Sequence, residues 1–303
     1  MAAYVAITPD TPVDLERRYR APIRIGSRTT IPRSKQAPRA VPVPGVARPI
    51  VVKIASEMTE WEQAFRLVSA NYQAIGAEPL NPGAIRFTPY HALPDTATFV
   101  ALENHEVLAT MTLVLDNTLL GLPAESLYPD EIEDLRRAGR CVVEVTSLAD
   151  RDLSTREFIP VFVALARLMT HYAIAQGADA LVITCRPRHG NFYRKLMGFQ
   201  PFGPCRAYPA VQNYPTEANL LDVPLLRTSS PAMYERIIED APPPEALRSV
   251  RIPPRLVRLF ANRSSLTNEE EILNVVSAVE CLGNSRRWEV TRSGMGSWYA
   301  DVS

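Results

Sequence analysis

The residue whose setting most demands a chemical explanation is Glu144. It lies in the run Cys141-Val142-Val143-Glu144-Val145-Thr146-Ser147-Leu148. Strand alternation predicts Val142, Glu144, Thr146 and Leu148 on one face and Val143, Val145 and Ser147 on the other. A carboxylate that points the same way as apolar side chains has two fates open to it. It forms an ion pair with a neighbour such as Arg140, or it keeps a raised pKa and serves as a base. Competing chemistries lack their residues. There is no GxxxxGK[ST], GxGxxG or GxSxG, which argues against phosphate-loop nucleotide chemistry and α/β-hydrolase chemistry. The histidines His91, His105, His171 and His189 fall in unrelated elements without metal-ligand spacing, so no metal is expected. His171 reads as an ordinary helix histidine, and Cys185 as an inert thiol in an apolar strand. The cysteines Cys141, Cys185, Cys205 and Cys281 show no CxxC spacing and suit a reducing cytoplasm.

The elements that must position Glu144 follow from periodicity and caps. Ile50-Val51-Val52 predicts a short strand, then a helix over 59–75, opened by a capping box at Thr59 and Glu62 and closed by Gly76. Thr98 to Leu102 and Val107 to Leu115 flank the polar turn 103–106 and predict a hairpin. A charged helix near 129–138 leads to the Glu144 strand. The loop 149–154 opens a long helix with a second capping box, Ser154 and Glu157, and Gly177 ends it. Ala180 to Cys185 predicts a strand covered on both faces. A short helix over 191–197, stopped by Gly198, and strands near 201–208 and 219–225 complete an α/β unit in three layers, with a mixed, mostly antiparallel central sheet.

Composition sets the boundaries. The 303 residues balance 33 Lys plus Arg against 33 Asp plus Glu, which argues against a dedicated nucleic-acid binder. Proline numbers 27, where average usage would give about 15. Residues 1–50 hold 8 of those prolines and 9 Lys or Arg against 3 acids, a net of +6, and predict a basic, disordered tail. Residues 51–227 form the expected catalytic unit, and 228–303 a helical extension with Pro242-Pro243-Pro244 and Pro253-Pro254. The tail has no secretory apolar core, and no run of about 18 apolar residues predicts a membrane span. The stretch Arg251 to Arg263, with Ile252, Leu256, Val257, Leu259 and Phe260, is a candidate for peripheral membrane or partner contact.

Family resemblance enters at Arg186-Pro187-Arg188-His189-Gly190-Asn191-Phe192-Tyr193-Arg194-Lys195-Leu196-Met197-Gly198-Phe199. This short helix after a buried strand resembles the last helix of the GNAT superfamily of N-acyltransferases, with its Tyr-x-x-x-Gly-Phe pattern. The loop Ala149-Asp150-Arg151-Asp152-Leu153-Ser154 departs from the glycine-containing loop with which acetyl-CoA enzymes cradle pyrophosphate. Gly121-Leu122-Pro123 after Asp116, Glu131-x-x-x-Leu135-Arg136-x-x-Gly139-Arg140, Glu144-Val145-x-x-Leu148-Ala149 and Tyr208-Pro209-Ala210-Val211 resemble the FeeM-type N-acyl amino acid synthases. These are relatives of the acyl-homoserine lactone synthases. The likeness runs from about Phe65 to Val223.

That resemblance implies transfer of a long-chain acyl group from acyl carrier protein to an amino acid's amine, with no tightly bound cofactor. The donor is an acyl-phosphopantetheine on the carrier, with acyl-CoA as the alternative. It implies Glu144 as the group that orients or deprotonates the amine, and Tyr193 as the acid for the leaving thiolate. Amides near Thr146, Ser147 and Leu148 would polarise the thioester carbonyl. Arg140 and Arg186 are candidates for the amino-acid carboxylate, and His189 for positioning substrate. Arg151, Arg156, Arg188, Arg194 and Lys195 form a cationic surface suited to an acidic carrier protein, unless they are ordinary solvated charges. Three alternatives stay open: an acyl-homoserine lactone synthase consuming S-adenosylmethionine, an acetyl-CoA acetyltransferase, and a non-catalytic acyl-binding protein.

Overall fold

The structure, a computed structural model, describes residues 36–264, 266 and 269–282. Its centre is the predicted hairpin, β3 (Ala97–Glu103) and β4 (Glu106–Leu115). Asn104 and His105 turn the chain with φ of 49° and 68°, the left-handed pair that a tight hairpin needs to match strand twist. On one side lie β2 (Val51–Ile54) and β1 (Val41–Pro42); on the other, β5 (Val142–Asp150) and β6 (Ala180–Cys185). Beyond β6 come β9 (Tyr214–Asp222) and the short β7 (Gln200–Pro201), with β8 (Arg206–Tyr208) also pairing β9. Among the described strands only β5 and β6 run parallel, so the sheet is mixed and mostly antiparallel, as expected.

Helices cover both faces. The connection between the parallel strands is α4 (Thr155–Ala175), following α1 (Met58–Ala74), α2 (Pro89–Ala92) and α3 (Pro129–Arg137) in the chain. The buried face of α4, with Val161, Leu165, Met169 and Tyr172, packs with Phe99, Met111 and Val143. Although α4 is long and apolar enough to cross a membrane, half of its most apolar stretch is buried inside the fold. The opposite face carries α1 and α2, where Phe65 and Phe87 join Val100, Val142 and Val182. The short helix α5 (Pro187–Met197) follows β6 and ends at Gly198, whose φ of 78° is the left-handed C-cap glycine tolerates best.

Several boundaries differ from expectation for identifiable reasons. The first capping residue is Glu60 rather than Glu62. Glu60 Oε2 accepts the amides of Ser56 (2.8 Å) and Glu57 (3.2 Å), while Oε1 takes the Lys53 ammonium of β2 at 2.7 Å, a buried pair that favours this register. Glu62 binds Arg66 and Arg263 instead. The second box holds: Ser154 Oγ donates to Glu157 Oε2 at 2.7 Å. Strand β5 extends to Asp150, α5 begins earlier because Pro187 suits a first helical position, and β9 ends at Asp222. There the Asp222 carboxylate accepts Leu225 N–H and opens α6 (Val223–Ser229).

Both outer regions also differ. Residues 41–43 of the expected tail are ordered, since β1 pairs with Val51 and Val52 and Val43 is buried; residues 1–35 lie outside the described residues. After Arg227 come α7 (Pro231–Tyr234), α8 (Pro254–Ala261) and α9 (Glu269–Leu282). Ile252, Val257, Phe260, Ile272 and Val276 sit in the same cluster as Phe65 and Phe87. Most of the apolar face of 251–263 is therefore spent on the core, and Leu259 is the one of its five apolar residues left exposed, which corrects its reading as a membrane-contact segment.

Candidate active site

The site begins where β5 breaks its regular pairing. Thr110 faces Ala149 and Thr112 faces Thr146, so Ser147 and Leu148 together stand opposite Met111. This is a β-bulge, and Ser147 carries it with φ of 57°. The extra residue reverses the phase of alternation. Leu148, expected on the face of Glu144, packs instead with Val143 and Val145 under α4. The parallel ladder with β6 ends at Val145 and Ile183, although β5 continues to Asp150 and β6 to Cys185, so beyond that pair the strands no longer bond each other.

A cavity of about 540 Å³ occupies this parting and is lined from both faces of the sheet. On the α4 side its wall is apolar, built from Phe162, Ala166, Met169, Met197 and Phe199. On the α1 and α2 side it is polar, with Tyr72, Arg86, His91, Glu144 and Tyr208. Thr146, Ser147 and Leu148 lie on its wall between the two.

Glu144 is 1% exposed and has no cationic partner among its hydrogen bonds. Its Oε2 accepts the Ala124 amide at 2.6 Å, and Thr184 Oγ1 approaches Oε1 at a long 3.5 Å. Burial pushes its pKa up to about 8 against the opposing pull of those two donors, and the nearby Glu125 charge adds to the rise. Of the two fates read from sequence, the raised pKa is the one the fold builds. Arg140 is engaged elsewhere: Nε donates to Asp179 Oδ1 at 3.0 Å, Nη1 to Asp222 Oδ2 at 2.9 Å and Nη2 to the Asp179 carbonyl at 3.0 Å. It is absent from the cavity wall, which corrects its reading as a substrate ligand. Its role is to tie β5, β6 and β9 together at their edge. Arg140→Gln is thus expected to lower stability by about 2–3 kcal/mol, somewhat below the ~3–5 of a fully buried pair, because solvent reaches its aspartates. Steady-state KM for the acceptor should stay unchanged, and thermal denaturation beside kinetics checks both statements.

Tyr193 lines the apolar half of the cavity, packed edge-on to Phe192 and near Phe162 and Phe199. Burial raises its phenol pKa, with Cys185 and Tyr72 adding smaller effects, so it stays protonated. Cys185 is pushed up to about 12 by burial, in keeping with an inert thiol. Arg186 and His189 also line the cavity, Arg186 stacked over Tyr214 at 3.9 Å and His189 accepting from Arg188 Nε at 3.0 Å. His171 packs against the 237–238 backbone, away from the cavity. Among the proposed partner-binding cations, Arg156, Arg188 and Lys195 are exposed, and Arg151 reaches Glu106 at an exposed site. Arg194 is turned inward to Glu217, Asn219 and Asn191, which removes it from that surface. Tyr72, Arg86, His91 and Thr184 also line the cavity, with no role expected from the sequence. The one available signal was Thr88-Pro89-x-His91, a helix start with histidine where a capping glutamate would stand.

A helix-flanked mixed sheet whose central parallel strands part around a cavity, with a bulge on the first and a tyrosine-bearing helix after the second, is the GNAT-like fold of an acyltransferase enzyme. The chain belongs to the family of the N-acyl amino acid synthase FeeM, which matches residues 63–222. The structure of FeeM, an N-acyl amino acid synthase from uncultured soil microbes, is 29% identical, with a TM-score of 0.52 over 61% of this chain and 97% of that one. The acyl-homoserine lactone synthase LasI is 13% identical over 64% of this chain and 98% of its own, with a TM-score of 0.46. BjaI, a CoA-dependent acyl-homoserine lactone synthase, is 17% identical over 65% and 97%, with a TM-score of 0.42. No curated protein matches the chain.

Proposed function

We propose that the protein moves a long-chain acyl group from the phosphopantetheine of acyl carrier protein to the α-amine of an amino acid, giving an N-acyl amino acid. The observation that carries this reading is the cavity itself, apolar on the α4 side and polar beside Glu144, with the bulge between. An acyl chain suits the first part, an amine the second, and the thioester carbonyl the bulge, where preorganised amides act most strongly on developing negative charge.

In this mechanism the acceptor arrives as an ammonium and loses one proton to the Glu144 carboxylate. The amine lone pair attacks the thioester carbon, forming the C–N bond. As the C–S bond breaks, Tyr193 donates its proton to the departing sulfur and recovers the surplus proton from nitrogen. The products are the amide and the carrier's free thiol, and Glu144 returns its proton to solvent.

The start of α4 supports a carrier-protein donor. Asp150 Oδ1 accepts the Leu153 amide at 2.9 Å, and Glu157 takes Ser154 through both its hydroxyl and its amide. Carboxylates thus occupy the place where an anionic pyrophosphate would need amides. Arg151, Arg156, Arg188 and Lys195 offer charge to an acidic carrier. The described cysteines are free thiols, in keeping with a cytoplasmic setting. Lipid extracts of an expressing host, analysed by mass spectrometry, should contain N-acyl amino acids with the wild-type chain and far less of them with Glu144→Gln. Accumulation of an acyl-homoserine lactone instead would replace this reading.

A further inference from the structure

We propose that Arg86 and His91 form the recognition site for the carboxylate of the acceptor. The proposal rests on the reading above, that the acceptor is an amino acid, and assigns the part of the cavity that selects it.

Arg86 lines the cavity with its side chain only 10% exposed. Its Nη1 donates to Glu78 Oε1, whose second oxygen accepts Ser69 Oγ at 3.2 Å. The guanidinium lies over the Tyr72 ring at 4.3 Å. One edge of the fork is thereby anchored and its plane fixed. The other N–H groups of that guanidinium make no side-chain hydrogen bond among the described residues. A fixed, desolvated fork with a free edge is the arrangement that holds a carboxylate at two points.

His91 supplies an independent observation. It is 4% exposed, lines the same cavity, and its Nδ1 accepts the Thr88 amide at 3.0 Å. A neutral imidazole that accepts at Nδ1 carries its proton on Nε2. That Nε2 is buried and has no partner among the described residues. Burial and the Arg86 charge lower the His91 pKa to about 3, so the ring stays neutral and Nε2 stays a donor. A buried donor without an acceptor is destabilising, and a ligand oxygen placed there would satisfy it.

The two groups share one end of the cavity with Glu144. The Arg86 charge acts on both His91 and Tyr208, and Tyr208 also feels Glu144. An amino acid holds its amine and carboxylate within a short, fixed span, so gripping the carboxylate at Arg86 and His91 brings the amine towards Glu144. Of the other cations considered, Arg140 is committed to its aspartates and Arg186 is half-buried, stacked on Tyr214.

The test uses the full-length protein with a long-chain acyl thioester of acyl carrier protein. The standard amino acids are assayed, and the best acceptor is compared with its decarboxylated amine by kcat/KM. The wild type should prefer the amino acid by at least about tenfold, the scale of one charge-assisted hydrogen bond. Arg86→Lys keeps a cation for the buried Glu78 but loses the fork, and His91→Asn removes the Nε2 donor. Each should cut that preference by at least about tenfold. Equal use of acid and amine by the wild type overturns the inference while leaving the proposed function intact. A preference that survives Arg86→Lys but collapses in Arg186→Gln also overturns it. No transfer to any amine defeats the functional reading itself, and this inference with it.

Discussion

Glu144→Gln is expected to lower kcat/KM by roughly 10²- to 10⁴-fold while the fold stays intact, the range lost when a positioned proton acceptor is removed. Glutamine matches the carboxylate in shape, and its carbonyl oxygen can still accept the Ala124 amide. What it lacks is basicity. Because burial raises the Glu144 pKa from 4.5 to about 8, the fraction ready to take a proton grows with pH across the neutral range. Wild-type kcat/KM should therefore climb through about pH 8 and then level, and the glutamine variant should show no such limb.

The same raised pKa has a sign for stability. The folded state binds this proton more tightly than the unfolded state, so the cost of ionising Glu144 inside the fold is not felt below about pH 4.5. The cost then grows until about pH 8, where it reaches the order of a few kcal/mol. Glu144→Gln should become progressively more stable than the wild type as pH rises from 5 to 8. Denaturant unfolding at several pH values checks this. A variant that is inactive and also less stable at pH 8 would mark Glu144 as structural.

The second large effect belongs to Tyr193. Tyr193→Phe should reduce kcat by about 10²-fold with little change in KM, because the hydroxyl is used only as the C–S bond breaks. A thiolate leaves more readily when its own pKa is low, so the need for an acid shrinks with a better leaving group. With an aryl thioester of the same acyl chain, the gap between wild type and Tyr193→Phe should narrow to a few-fold. A gap that stays the same with both donors would assign Tyr193 to packing of the acyl wall, alongside Phe162 and Phe192.

The residues on regular elements were legible in the sequence because period and cap are local properties. The hairpin around Asn104 and His105, the Ser154 cap and the Gly198 stop each depend on neighbours within a few positions. Glu144 was legible as an oddity, a charge in an apolar strand, but its raised pKa was not. That property depends on Arg140 choosing Asp179 and Asp222, partners 39 and 82 residues away. The bulge at Ser147 escaped for the opposite reason. Serine adopts a left-handed φ only under constraint, so nothing in its type announces it, and the one-residue slip moved Leu148 to the other face. Arg86 and His91 lie in a proline-punctuated stretch that reads as loop, and only the packing of α1 and α2 against the sheet turns it into a cavity wall.

Reconstituted transfer tests the central claim most directly. Purified protein is mixed with the amino acids and either an acyl-carrier thioester or the CoA thioester of the same chain, and the products are weighed by mass spectrometry. The account predicts an N-acyl amino acid and one equivalent of free carrier thiol, formed faster from the carrier than from CoA and slowed at least about a hundredfold by Glu144→Gln. Product only from acyl-CoA, product only when S-adenosylmethionine is supplied, or no product from any pair would contradict it.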